Sequence, residues 1–110
     1  MRTAFTIYRV DAEPEQAEAD LPEQPGYRLL RDLLTPLLDG ARFEHVAVLH
    51  QDEPADMFVD EFGALNGLPR NEAATKIYRN NWLTMHPGTP PDDLPAIYGT
   101  AVLFARRVWF

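Results

Sequence analysis

The chain contains no cysteine, no serine and a single lysine. Without cysteine there are no disulfides, thiolate zinc ligands or thiol nucleophiles, which fits a reducing, cytoplasmic setting. The missing serine removes every serine-nucleophile mechanism. Threonine hydroxyls, carboxylates and three histidines remain for covalent or acid–base work. Any Schiff base or Walker-type phosphate site would have to use Lys76. No hydrophobic run approaches the roughly 20 residues that span a bilayer. The opening MRTAFTIYRVDAE turns acidic too soon for a secretory signal.

What is present is negative charge, unevenly placed. The chain has 17 acids against 10 bases. Residues 1–65 hold 14 acids and 5 bases, and residues 66–110 hold 3 acids and 5 bases. Such a surface repels nucleic-acid phosphates and anionic membranes and favours a basic protein as partner. At 110 residues the chain is expected to form one domain spanning residues 1–110. Folding would bury roughly 65% of the surface that the unfolded chain exposes.

Ala4 to Val10 alternates in the manner of a first strand, with Phe5 and Ile7 on one face and Tyr8 and Val10 toward the other. Residues 11–26 carry six acids, no base and three prolines, so they are expected to form an acidic surface loop. The leucines of Tyr27–Asp39 make an apolar helical stripe with Gly40 as its C-terminal stop. Pro36 is expected to kink that helix or split it near Thr35. Phe43–His50 reads as a central strand, hairpinned through QDEPAD to a second strand at Met57–Asp60. Asn71 is placed to cap a helix running to about Leu83, whose Ala74, Ile77, Tyr78 and Trp82 would face the sheet. Ala96–Phe110 is the most strand-like stretch, with Gly99 at a bulge and Arg106-Arg107 at an interruption or bend. The aromatic ending Val108-Trp109-Phe110 is expected to pair in the sheet or to sit in a homo-oligomer contact. The order βαββαβ(β) implies an α+β fold with two helices packed on one face of a mostly antiparallel sheet.

Few residue clusters carry chemistry. Asp60 and Glu61 are adjacent carboxylates at a strand end, where turn formation is the simpler role. His45, His50, Asp52, Asp56 and His86 match no metal-ligand spacing, and His45 and His50 fall on opposite faces of a regular strand. Neither a metal nor a cofactor is therefore expected. Gly63 to Gly67 precedes a helix, where anions can bind, but the loop lacks the Gly-Lys-Thr ending of a P-loop. Arg70, Lys76 and Arg79 lie around that helix start, so Asp60, Glu61, Arg70, Asn71, Lys76 and Arg79 form an alternative site for a small anion or nucleotide. No residue is assigned a catalytic role.

Asp60, Glu61, Gly63, Gly67, Leu68, Pro69, Asn71 and Ala74, followed by Ile97, Gly99 and Thr100, carry a resemblance over the second half of the chain. This pattern resembles small proteins of phages, plasmids and other bacterial mobile elements grouped around domain of unknown function 3846. The resemblance implies a bacterial genomic setting and no reaction. Together with size and charge, it leads to the expectation of a non-enzymatic binding protein. Glu13, Glu15, Glu18, Asp20 and Glu23 would then dock on a basic host protein, as an anti-CRISPR or other anti-defence inhibitor does.

Overall fold

Apolar side chains sort this sequence into one sheet with a core on each face. The structure, a computed structural model, describes residues 1–110, the side chain of Pro91 excepted. The elements are β1 (Arg2–Tyr8), β2 (Glu15–Asp20), α1 (Tyr27–Leu37), β3 (Phe43–His50), β4 (Glu53–Asp60), α2 (Glu72–Met85) and β5 (Ala101–Phe104), with a 3-10 turn at Pro91–Asp93. The five strands form an antiparallel sheet in the order β2-β1-β5-β4-β3. The α+β class and the two helices agree with the sequence reading.

The placement of the helices does not. On one face Phe5, Ile7, Phe58, Val102 and Phe104 pack with Leu30 and Leu34 of α1 and with Leu38 at its C-cap. On the other, Met57, Val59, Ala101 and Leu103 pack with Ala74 and, partly buried, Ile77 and Tyr78 of α2. The helices therefore cover opposite faces. The reason lies in the two strands between them. Met57-Phe58-Val59 and Ala101–Phe104 are buried at every position, and a strand buried on both sides needs a cover on both.

Several boundaries also differ. The acidic segment holds a strand, β2, where a loop was expected: Ala17 and Ala19 pack against the α1-side core and leave the charged residues exposed. β3 is an edge strand rather than a central one, because β5 inserts between β1 and β4. The β3–β4 turn is only Gln51-Asp52, both at positive φ (53° and 65°), the left-handed pair of a type I′ hairpin. β4 accordingly begins at Glu53 and includes Pro54, which lies beyond the stretch that pairs with β5.

Helix α1 passes through Pro36 and ends at Leu37. Proline falls in its last turn, where one lost amide bond matters little, and the Thr35 hydroxyl still bonds the Arg31 carbonyl at 2.7 Å. Asn71 caps α2 as expected, its side chain accepting from the Ala74 amide at 3.1 Å. Trp82 leaves the sheet, packs tilted against His86 with ring centroids 4.5 Å apart and bonds the Thr89 hydroxyl through its indole N–H. The chain after Phe104 adds no strand. It bends at Ala105-Arg106 and folds back so that Val108 is buried in the α1-side core and Trp109 packs against it.

Candidate functional site

The predicted acidic residues lie together along the outermost strand. Met1 and Leu21 exchange both backbone bonds, at 2.7 and 3.0 Å. Antiparallel pairs alternate between bonded and non-bonded, so Thr3–Ala19, Phe5–Ala17 and Ile7–Glu15 are the bonded pairs of this ladder. Gln16, Glu18 and Asp20 therefore direct their N–H and C=O groups away from the sheet. Their side chains alternate to the face opposite α1, where Arg2 and Ala4 are exposed. Glu18 pairs with Arg2 at 3.1 Å, Asp20 with the Met1 ammonium at 3.0 Å and Glu15 with Arg9 at 3.5 Å. Glu13 and Glu23 flank the strand and are exposed.

The other edge of the sheet is covered next to its hairpin. Outward-facing groups of β3 at Ala47 and Leu49 meet the Asn81 side chain of α2, which donates to the Ala47 carbonyl (3.2 Å) and accepts from the Leu49 amide (3.1 Å). A single amide side chain thus completes the ladder at that point, the usual protection of an exposed edge.

The turn-helix residues are dispersed and engaged. Asp60 accepts from the Phe62 amide at 2.9 Å, closing the turn. Glu61 faces Arg42 at 3.6 Å, and Arg70 pairs with Glu72 at 2.8 Å. Asn71 is buried; besides capping α2 it donates to the carbonyls of Tyr8 and Gly99, both at 2.8 Å. Arg79 reaches the Leu94 carbonyl at 2.9 Å, while Lys76 is exposed one turn into α2. The hollow beside the helix start is lined by Asp11, Glu13 and Glu72 with Arg9 as its cation. The three expected cations do not converge.

Sequence reasoning missed a buried acid. Asp56 is 2% exposed. One oxygen accepts from the backbone amides of Val108 (2.7 Å) and Trp109 (2.8 Å), and the other meets His45 Nε2 at 2.6 Å. This carboxylate is the clasp that folds the last residues back across the sheet. His45 in turn stacks on Trp109, with ring centroids 5.2 Å apart and planes 16° from parallel. A carboxylate only accepts, so this contact selects the tautomer with the proton on Nε2, in which Nδ1 is the ring's acceptor. Nδ1 has no partner among the described residues. It is also open to solvent, because no buried side-chain nitrogen or oxygen among them lacks one.

His45 and Trp109 line a cleft of about 430 Å³ between α1 and the outer edge of β3. Tyr27 and Arg31 enter from α1, and Phe43 and Arg42 from the start of β3 and the loop before it. His50, Asp52 and His86 do not join this cluster, and among the described residues no three His, Cys, Asp or Glu side chains gather as a metal site would need. Among the described residues no helix is long and apolar enough to cross a membrane. No family model, no curated protein and no solved structure matches the chain.

Proposed function

We propose that this chain is a non-enzymatic binding protein that docks its acidic sheet edge on a basic segment of another protein, which adds to β2 as a sixth strand. The observation that supports this reading is the coincidence of outward backbone groups at Gln16, Glu18 and Asp20 with the exposed carboxylates of Glu18 and Asp20, while Asn81 covers Ala47 and Leu49 on the opposite edge. Strand addition draws affinity from main-chain bonds and specificity from side chains at alternate positions. A segment with lysine or arginine at every second residue fits Glu18 and Asp20, with Glu13 and Glu23 at its ends. The present pairings of Glu18 with Arg2 and of Asp20 with the Met1 ammonium are exposed and worth at most about 1 kcal/mol each, so a partner displaces them at little cost. In the mobile-element setting that the resemblance implies, the partner is a basic component of a host defence complex and the protein is its inhibitor.

The test uses a labelled peptide of alternating lysine and valine, followed by fluorescence anisotropy at two salt concentrations. Glu13→Lys with Glu23→Lys should weaken binding at least tenfold, and so should Gln16→Pro, which removes an outward amide and leaves the β1–β2 ladder intact. If charge reversal weakens binding and Gln16→Pro does not, the contact is electrostatic adhesion and the added strand is wrong. If neither matters, the acidic edge is not the docking surface.

A further inference from the structure

We propose that the cleft between α1 and β3 binds a small heteroaromatic anion, a planar ring bearing an N–H or O–H donor together with a phosphate or carboxylate. The site lies at the opposite end of the sheet from β2 and does not depend on the docking proposal.

The volume, about 430 Å³, falls within the range of small-molecule clefts, roughly 300–1,000 Å³. Its floor is aromatic and held in place. Trp109 is fixed through its backbone amide by Asp56, its ring stacks on His45, and Phe43 stands edge-on to it at 6.0 Å and 87°. Tyr27 closes the α1 side, 6.5 Å from Trp109. A flat ring entering here meets preformed apolar walls and loses little by ordering them.

The polar groups then specify the ring. The β3–β4 hairpin places its bonded pairs at His50–Glu53, Val48–Ala55 and Val46–Met57, so Phe43 and His45 aim their backbone N–H and C=O outward beside the cleft. Asn81 covers only Ala47 and Leu49 further along that edge. Nδ1 of His45 adds an acceptor whose polarity is set by Asp56. A ring with donors and acceptors on one edge satisfies this set, and a hydrocarbon ring does not.

The anionic group follows from the mouth of the cleft. Arg31 and Arg42 stand there, 50% and 80% exposed, paired with Asp32 at 3.2 Å and with Glu61, which also lines the cleft and which an entering anion would displace, at 3.6 Å. Such contacts are weak, and guanidinium groups re-aim readily at phosphate or carboxylate. Glu44, although it borders the cleft, alternates with Phe43 and His45 and directs its side chain to the other face of β3.

The test titrates the intact chain, carrying Trp82→Phe so that Trp109 is the sole indole, with adenosine monophosphate, adenosine, nicotinate and inorganic phosphate, read by fluorescence. The proposal expects saturable change with adenosine monophosphate or nicotinate, the two separating phosphate from carboxylate sources, and at least tenfold weaker response to adenosine and to phosphate. Arg31→Ala with Arg42→Ala should bring the anion's affinity down to the level of the uncharged probe. Asp56→Asn presents an amide to Nε2, turns Nδ1 into a donor and should weaken binding at least tenfold; circular dichroism confirms that this variant is folded. His45→Gln is the companion variant, which removes Nδ1 and leaves the Asp56 contacts to the tail in place. No response to any probe at millimolar concentration overturns the proposal, as does equal binding by inorganic phosphate alone or affinity unchanged in both the arginine and the His45 variants.

Discussion

Replacing Asp56 tests the energetic centre of the fold. Its carboxylate is 2% exposed and receives three donors, at 2.6, 2.7 and 2.8 Å, from His45, Val108 and Trp109. Asp56→Ala strands the Val108 amide in the core and leaves the other two donors partly buried. An unsatisfied buried donor costs about 1–3 kcal/mol, and a hydrogen bond lost from a partly exposed donor costs about 1 kcal/mol. Counting the first figure for Val108 and the second for each of His45 and Trp109, the expected loss is about 3–5 kcal/mol. A domain of this size has only about 5–15 kcal/mol in total. At roughly 4 °C per kcal/mol, the unfolding midpoint should fall by about 12–20 °C. Asp56→Asn keeps an oxygen for the two amides, and its NH₂ donates to the other tautomer of His45, so its loss should stay near 1–2 kcal/mol. Urea unfolding of the three proteins measures these differences. An alanine variant within 1 kcal/mol of the parent would refute the argument, as would an asparagine variant as damaged as the alanine one.

Asn71→Ser retains an N-cap oxygen but loses the donors to Tyr8 and Gly99, so about 2–3 kcal/mol should disappear in denaturant unfolding, whereas a pure capping role would leave stability almost unchanged. Asn81→Ala reopens the β3 edge. Light scattering should show association rising with concentration, at a stability loss of only about 1 kcal/mol. Gly63→Ala puts a Cβ 2.4 Å from the Tyr98 carbonyl oxygen, so its melting point should drop well below that of Gly26→Ala, which meets nothing within 4 Å.

What was legible in the sequence follows physical lines. The Asn71 cap, the β3 boundaries and the leucine face of α1 are local matters of spacing and chemistry, and these survive. The division of the helices between faces was also present: Met57-Phe58-Val59 and Ala101–Phe104 are continuous apolar runs, the mark of strands covered on both sides. β2 was hidden because only Ala17 and Ala19 turn toward the core, and six acids with three prolines imitate a loop. Asp56 was hidden differently. It lies in phase with Phe58, two residues back along the strand, so the period-2 rule already turns it inward. Reading QDEPAD as a turn broke that phase. Its partners, His45, Val108 and Trp109, are 11, 52 and 53 residues away, and no local pattern joins them.

Amide hydrogen exchange across β2, with and without the lysine–valine peptide, bears most directly on the proposed role of the acidic edge. Strand addition predicts new protection at Gln16, Glu18 and Asp20 and none at Ala17 and Ala19, whose amides already bond β1. Protection spread evenly along β2, or confined to residues elsewhere, would contradict it.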